Sequence, residues 1–211
     1  PYVTVMTDLA DSPPHFWQEK QDQFIICGSA MAVQQARDKG YSPRSIFQTS
    51  GMIIKPRFYH DAKIDQQSER EALGLAPHAP TALIMFGGYG AEISLSIVKQ
   101  IRKSGLPVQS IVMCGHNDKL RRALQKEKAC HAVGFTEDVP HYMRLADFFI
   151  GKPGPGSLSE AIHMGLPVII ERNRRTLIQE HYNTVWVEQQ KLGLVIKDLK
   201  HIPHAVKSLL E

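Results

Sequence analysis

Between residue 81 and the C-terminus, short apolar runs alternate with longer stretches of helical period. The runs are 81–86, 109–114, 132–133, 147–150, 167–171 and 194–196. Helices are expected over 91–103, 118–126, 139–145 and 177–191, after the glycine turn at 151–156, and from 202 onward. Strands alternating with helices predict an α/β fold: an open parallel sheet with helices on both faces. Ligands of such sheets bind outside the carboxyl ends of the strands. The loops after Phe86, Cys114, Val133, Ile150 and Ile170 therefore share one rim.

The first part of the chain repeats the pattern in a shorter form. Residues 2–8 read as a buried strand and residues 24–28 as another. Ser29 suits a helix cap, Gly40 a helix stop, and 45–50 a third strand. This is part of a second Rossmann-like unit. Residues 55–65 lack periodicity and read as a linker, followed by a short helix ending at Gly74. The expected divisions are 1–55, 56–80 and 81–211. Between the first strands, Pro13-Pro14 and His15-Phe16-Trp17 lie in a loop whose aromatics are expected to pack beneath it. The chain opens on Pro1 and a strand-like run, with no initiator methionine, so an N-terminal portion is expected to be absent.

A formal net charge of +4 is compatible with an anionic ligand or membrane surface and requires neither. Cys27, Cys114 and Cys130 are widely spaced, and the first two sit in apolar runs. They read as buried thiols rather than a disulfide frame. The ten histidines form no HExxH and pair with no CxxC, so no metal site is expected. No apolar run has the length of a membrane-spanning helix.

Three rim loops suit a ligand: Gly87-Gly88-Tyr89-Gly90, Gly134-Phe135-Thr136-Glu137 and Gly154-Pro155-Gly156-Ser157. In the last, the glycines permit a tight turn and close approach to a ligand. The following helix offers unpaired N–H groups to a phosphate. Glu160 can accept two hydrogen bonds from a vicinal diol. Ser157-Leu158-Ser159-Glu160 equally fits a capping box, in which the carboxylate only closes the helix start. The Gly88-Tyr89-Gly90 turn lacks the third glycine of a dinucleotide site, with Ile93 in its place, and no acidic residue ends the next strand. No P-loop and no nucleophile elbow occur. The pattern favours a nucleotide whose phosphates rest on backbone amides.

Gly87–Gly90, Gly134-Phe135, the run Lys152 to Ala161 with Leu166-Pro167, and Gln179-Glu180-His181-Tyr182-Asn183 occur in that order. This set resembles glycosyltransferase family 28, which includes plant monogalactosyldiacylglycerol synthase and the N-acetylglucosaminyltransferase of peptidoglycan synthesis. It is most similar to the diacylglycerol-glycosylating branch. Thr7-Asp8-Leu9 with Pro14-His15-Phe16-Trp17 is similar to an N-terminal-domain segment of that branch. The resemblance implies a GT-B fold and an inverting transfer of a hexosyl group from a UDP-sugar to a lipid acceptor, diacylglycerol. It implies that Gly87 and Gly88 approach the phosphates or the cleft floor, and that main-chain atoms near Gly134 and Phe135 meet uracil. Gly154, Pro155, Gly156 and Ser157 would hold the diphosphate, Glu160 the ribose, and Gln179 and Glu180 the sugar.

The branch has a proline-glycine before its glutamine, where this chain has Leu177-Ile178, which leaves the sugar open. Arg172, Arg174 and Arg175 just before it suit either an anionic group or plain solvent. No cofactor and no metal are required by the implied mechanism, and no nucleic acid partner is expected. The expected location is the cytoplasm or the cytoplasmic face of a membrane, with peripheral contact. The catalytic base stays unassigned; Asp8, Asp11 and His15 lie near the rim of the incomplete unit. The chain alone is expected to bind UDP but to transfer sugar poorly. Two alternatives remain: a non-catalytic UDP-sugar-binding subunit of a split glycosyltransferase, and a UDP-sugar epimerase.

Overall fold

The computed structural model describes residues 2–13, 15, 17–60 and 62–211. The sequence readings that involve Pro1, Pro14 and Phe16 lie outside the described residues.

The larger sheet has six parallel strands in the order β6-β5-β4-β7-β8-β9. They are β4 (Thr81–Met85), β5 (Gln109–Gly115), β6 (Cys130–Gly134), β7 (Phe148–Gly151), β8 (Val168–Glu171) and β9 (Gly193–Ile196). Alternate residues of each strand feed two cores, as the two-residue side-chain period demands. Ala82, Ile84, Val112, Phe148 and Ile150 face α3 (Ile93–Lys103), α4 (Asp118–Leu124) and α8 (Ile202–Leu210). Leu83, Ile111, Phe149, Val168 and Ile170 face α5 (Val139–Arg144), α6 (Pro155–His163) and α7 (His181–Gln189).

The smaller sheet pairs β1 (Tyr2–Val5), β2 (Gln23–Cys27) and β3 (Ile46–Gln48) in parallel, with β2 central. Its helix α1 (Ala30–Asp38) is capped by the Ser29 hydroxyl, which accepts from the Ala32 amide. The first strand is not buried as its composition suggested: Tyr2 and Val3 are 61% and 53% exposed. β1 pairs on one side only, so its apolar residues lie at a sheet edge.

The expected linker is not free chain. Pro56–Tyr59 forms a 3-10 turn whose Phe58 enters the α6-side core beside Val133 and Met143. Helix α2 (Gln66–Ala72) is fixed by Arg70, which is buried. Its guanidinium donates to the carbonyls of Leu145, Pro77 and Ala79 and meets Asp147 at 2.8 Å. Asp147 also accepts from the Thr81 amide, so this knot closes the amino-terminal side of β4 and β7.

Candidate functional site

Chain order reverses between β4 and β7. From β4 the chain builds outward through β5 and β6, then returns to place β7 on β4's other side. The loops leaving β4 and β7 must diverge there, which opens a crevice at the carboxyl rim. Gly87–Gly90 and Lys152–Ser157 are those two loops.

The first loop is locked to its neighbour. A Cβ on Gly90 would lie 2.1 Å from the Cys114 carbonyl oxygen, and one on Gly115 would lie 1.8 Å from that of Gly88. Both positions have left-handed φ, so glycine is needed twice over. Asn117 adds a hydrogen bond from Nδ2 to the Gly90 carbonyl and caps α4 through the Leu120 amide. Gly87 and Gly88 themselves have open space where a side chain would stand.

The second loop differs from its sequence reading in two ways. Gly154 has ordinary extended dihedrals, so the turn does not need glycine's left-handed freedom. What it needs is room: a Cβ there would come 3.3 Å from Glu180 Oε1. The expected capping box is also absent. Helix α6 begins at Pro155, with Gly154 as N-cap and no side-chain cap bond. Proline's fixed φ suits the first helical position. Ser157 therefore sits inside the first turn, and Glu160 falls in the second, beyond reach of the cap. The Gly156 and Ser157 amides have no partner within the helix, and nothing lies within 4 Å of a Cβ placed on Gly156.

Glu160 is half-buried, and its carboxylate makes no hydrogen bond among the described residues. Burial pushes its carboxyl above the usual range, and Lys55 and Arg57 pull it partly back. Those cations come from the segment read as linker. Arg57 donates to the Glu137 carbonyl and meets its carboxylate at 3.3 Å, tying that segment to the Gly134–Glu137 loop. Along that loop Phe135 is exposed, and its ring stacks on His116 with centroids 4.2 Å apart.

The expected helix at 177–191 is divided. Ile178–Glu180 is a 3-10 turn, and α7 starts at His181. Gln179 and Glu180 are half-exposed on that turn. Glu180 reaches a cavity of about 940 Å³ at the carboxyl ends of β4, β7, β8 and β9. Burial raises its pKa, Lys152 opposes the rise, and the charge of Asp8, from the smaller unit, adds to it. Asn183, at the end of the same motif, is buried. Its Nδ2 donates to the Pro153 carbonyl at 2.7 Å.

Asp8 and Asp11 are both buried. Asp8 accepts from Trp17 Nε1 at 2.9 Å, which places this aromatic partly under the loop as expected. Asp11 accepts from Lys39 Nζ and from the Trp17 and Gln18 amides, and His15 Nδ1 lies 3.2 Å away. Asp11 is thereby a structural knot.

Met85 pairs with Gly151, so the segments holding Gly87-Gly88 and Gly154–Ser157 leave adjacent strand ends, and Glu180 lies against Gly154. Gly134, Phe135 and Glu160 lie beside the Arg57 segment. His116, Asn117, Lys55 and Arg57 were not singled out from the sequence. His116 and Asn117 had one signal, their position directly past a strand on the shared rim.

The glycosyltransferase family 28 C-terminal domain matches residues 81–211. The chain belongs to this family. Among curated relatives, the probable monogalactosyldiacylglycerol synthase 2 of Oryza sativa subsp. indica is 32% identical over 94% of this chain and 43% of its own length. The processive diacylglycerol beta-glucosyltransferase of Bacillus pumilus is 28% identical over 100% of this chain and 55% of its own. The chain spans about half the length of the curated relatives it matches. Of solved structures, Anabaena HepE in complex with UDP-glucose has a TM-score of 0.60 at 16% identity, covering 100% of this chain and 63% of that one. WaaG, a glycosyltransferase involved in lipopolysaccharide biosynthesis, has a TM-score of 0.58 at 18% identity, covering 92% and 55%. The architecture of this family 28 chain is that of the GT-B glycosyltransferases.

Proposed function

We propose that this chain supplies the donor-binding unit, and part of the acceptor unit, of an inverting glycosyltransferase that moves a hexosyl group from a UDP-sugar to diacylglycerol. The observation that supports this reading is the reversal of strand order between β4 and β7, with Gly87-Gly88 leaving one strand and the uncapped amino terminus of α6 following the other. Its Gly156 and Ser157 amides suit a diphosphate, and the helix dipole adds partial positive charge. Glu160 takes the ribose diol, the Phe135 loop takes uracil, and Gln179 and Glu180 take the sugar. The lipid acceptor is supported by the relatives' names, a synthase of monogalactosyldiacylglycerol and a glucosyltransferase acting on diacylglycerol. Such an acceptor brings the protein to a membrane surface. Among the described residues no helix is long and apolar enough to cross one.

In the reaction, the acceptor hydroxyl oxygen attacks the anomeric carbon from the face opposite the diphosphate. The new C–O bond forms as the bond to the β-phosphate oxygen breaks. The hydroxyl proton passes to a base, and UDP leaves with the bonding electrons. Negative charge grows on the β-phosphate, where fixed amides stabilise it without reorganising. This scheme requires no metal ion.

Calorimetric titration with UDP, UDP-galactose, UDP-glucose and UDP-N-acetylglucosamine tests the donor reading. UDP binding is expected, with one sugar preferred; no binding of any uridine nucleotide would refute it. A UDP-release assay with diacylglycerol vesicles tests the division of labour. Slow or no turnover is expected from this chain, and robust turnover would show that the base lies within it.

A further inference from the structure

The cavity beside Glu180 is more basic than a neutral hexose requires. Its charged lining is Lys152, Arg174, Arg175, Lys197 and Lys200 against Glu171, Glu180 and Asp198. Lys200 is paired with Asp198 at 3.3 Å. Among the described residues, Lys152, Arg174, Arg175 and Lys197 have no carboxylate within salt-bridge distance. The arginines stand on a built turn. The Asn173 side chain accepts from the Arg175 amide at 2.8 Å and donates to Glu171 at 2.8 Å. The Asn173 amide donates to the Thr176 hydroxyl at 3.0 Å, and His181 Nε2 lies 3.2 Å from the Thr176 carbonyl. Arg174 and Arg175 are therefore held at the cavity mouth by a closed hydrogen-bonded loop. Glu171 and Glu180 on the same wall are half-buried, and burial raises the pKa of each.

We propose that the transferred sugar carries an anionic substituent, a uronosyl carboxylate, which Arg174 and Arg175 receive in this cavity. The inference rests on the reading of Glu180 as a sugar contact. Lys152 and Pro153 belong both to the cavity wall and to the diphosphate turn, so a group tethered to the diphosphate reaches the space. The cavity, about 940 Å³, exceeds a single hexose and leaves room for its C6 carboxylate with water. Guanidinium groups match a carboxylate with paired hydrogen bonds, and a preference of this kind operates through the charge as well as the contact.

Calorimetry on this chain at neutral pH and low salt compares UDP, UDP-glucose and UDP-glucuronate. UDP-glucuronate is expected to bind about tenfold more tightly than UDP-glucose, with the advantage shrinking as salt rises. The R174Q/R175Q double variant is expected to bring the two sugars within about twofold while UDP alone is unchanged. Both side chains are exposed, so folding is preserved. Equal affinities, or a uronate preference that survives the double substitution, overturn the proposal while leaving the nucleotide site intact. Failure of UDP itself to bind removes the reading beneath it, and the proposal with it. Binding of glycerol 3-phosphate through the same arginines, with no uronate advantage, overturns it in favour of an acceptor-side anion.

Discussion

Asn183 donates from Nδ2 to the Pro153 carbonyl oxygen at 2.7 Å, so the first turn of α7 holds the loop that leaves β7. Two sequence motifs far apart in the chain meet through this bond. Asn183 is buried, and its Oδ1 has no partner among the described residues. Replacing it with alanine leaves the Pro153 carbonyl unpaired and frees the turn that precedes α6. Asn183→Ala should lower stability by about 1–2 kcal/mol and weaken UDP binding by about tenfold. Thermal unfolding and calorimetry measure the two effects. A loss of stability with unchanged UDP affinity would separate the turn from the donor site.

Glu160 is placed to test the ribose contact directly. Glu160→Ala should cost about 1–3 kcal/mol of UDP binding if the carboxylate accepts the diol. Burial, opposed by Lys55 and Arg57, holds its pKa above the ordinary carboxyl value of 4.5. The ionised form is the acceptor, so UDP affinity should be full above this raised pKa and fall as pH drops through it. The fall should begin at a higher pH than an unperturbed carboxylate gives, and it should vanish in Glu160→Gln. Titrations from neutral to mildly acidic pH decide this; a flat profile in the wild-type chain excludes the ionised contact.

How much of this was legible differs by residue. The runs around Ile84, Val112 and Phe149 announced buried parallel strands, because both faces of a covered sheet are apolar. Tyr2 and Val3 misled, since the same composition serves an edge that lacks a neighbour. The serine and glutamate at 157 and 160 matched a cap in spacing, yet Pro155 fixed the helix start three residues earlier. The Gly154 approach to Glu180, the His116–Phe135 stack and the Arg57–Glu137 pair join distant segments. No local period reports such contacts; they follow from strand order.

Glu160 and Glu180 also carry a stability signature. Each has its folded pKa raised by burial above the ordinary value of 4.5. A carboxyl of this kind contributes stability that is fully present below its unfolded pKa and lost as pH rises through its folded one. At neutral pH both are ionised in an environment that disfavours the charge. Glu160→Gln and Glu180→Gln should therefore raise the unfolding temperature at pH 7, with the gain disappearing as pH falls toward 4. Melting curves across that range test it. Lower melting temperatures for both variants at pH 7 would mean that the ionised groups stabilise the cleft.

Asp11 should behave in the opposite sense. It is fully buried, and burial alone would push its pKa up. The hydrogen bond and charge of Lys39, with the Trp17 and Gln18 amides, instead hold it below the ordinary value of 3.8. Its contribution is present above the unfolded pKa and lost as pH falls through the depressed folded one. Asp11→Ala leaves two amides without their acceptor and Lys39 with only the Gln18 carbonyl. The smaller unit should lose about 3 kcal/mol, the scale for breaking a buried ion pair. Trp17 fluorescence reports that unit, because its indole is anchored to Asp8. The Met6, Ile25 and Ala32 core of the smaller unit is a cluster separate from the two cores of the larger sheet. UDP affinity at temperatures below the Asp11→Ala transition should therefore stay within about twofold of wild type. A large loss of UDP binding with the Trp17 signal intact would instead place Asp11 in the donor cleft.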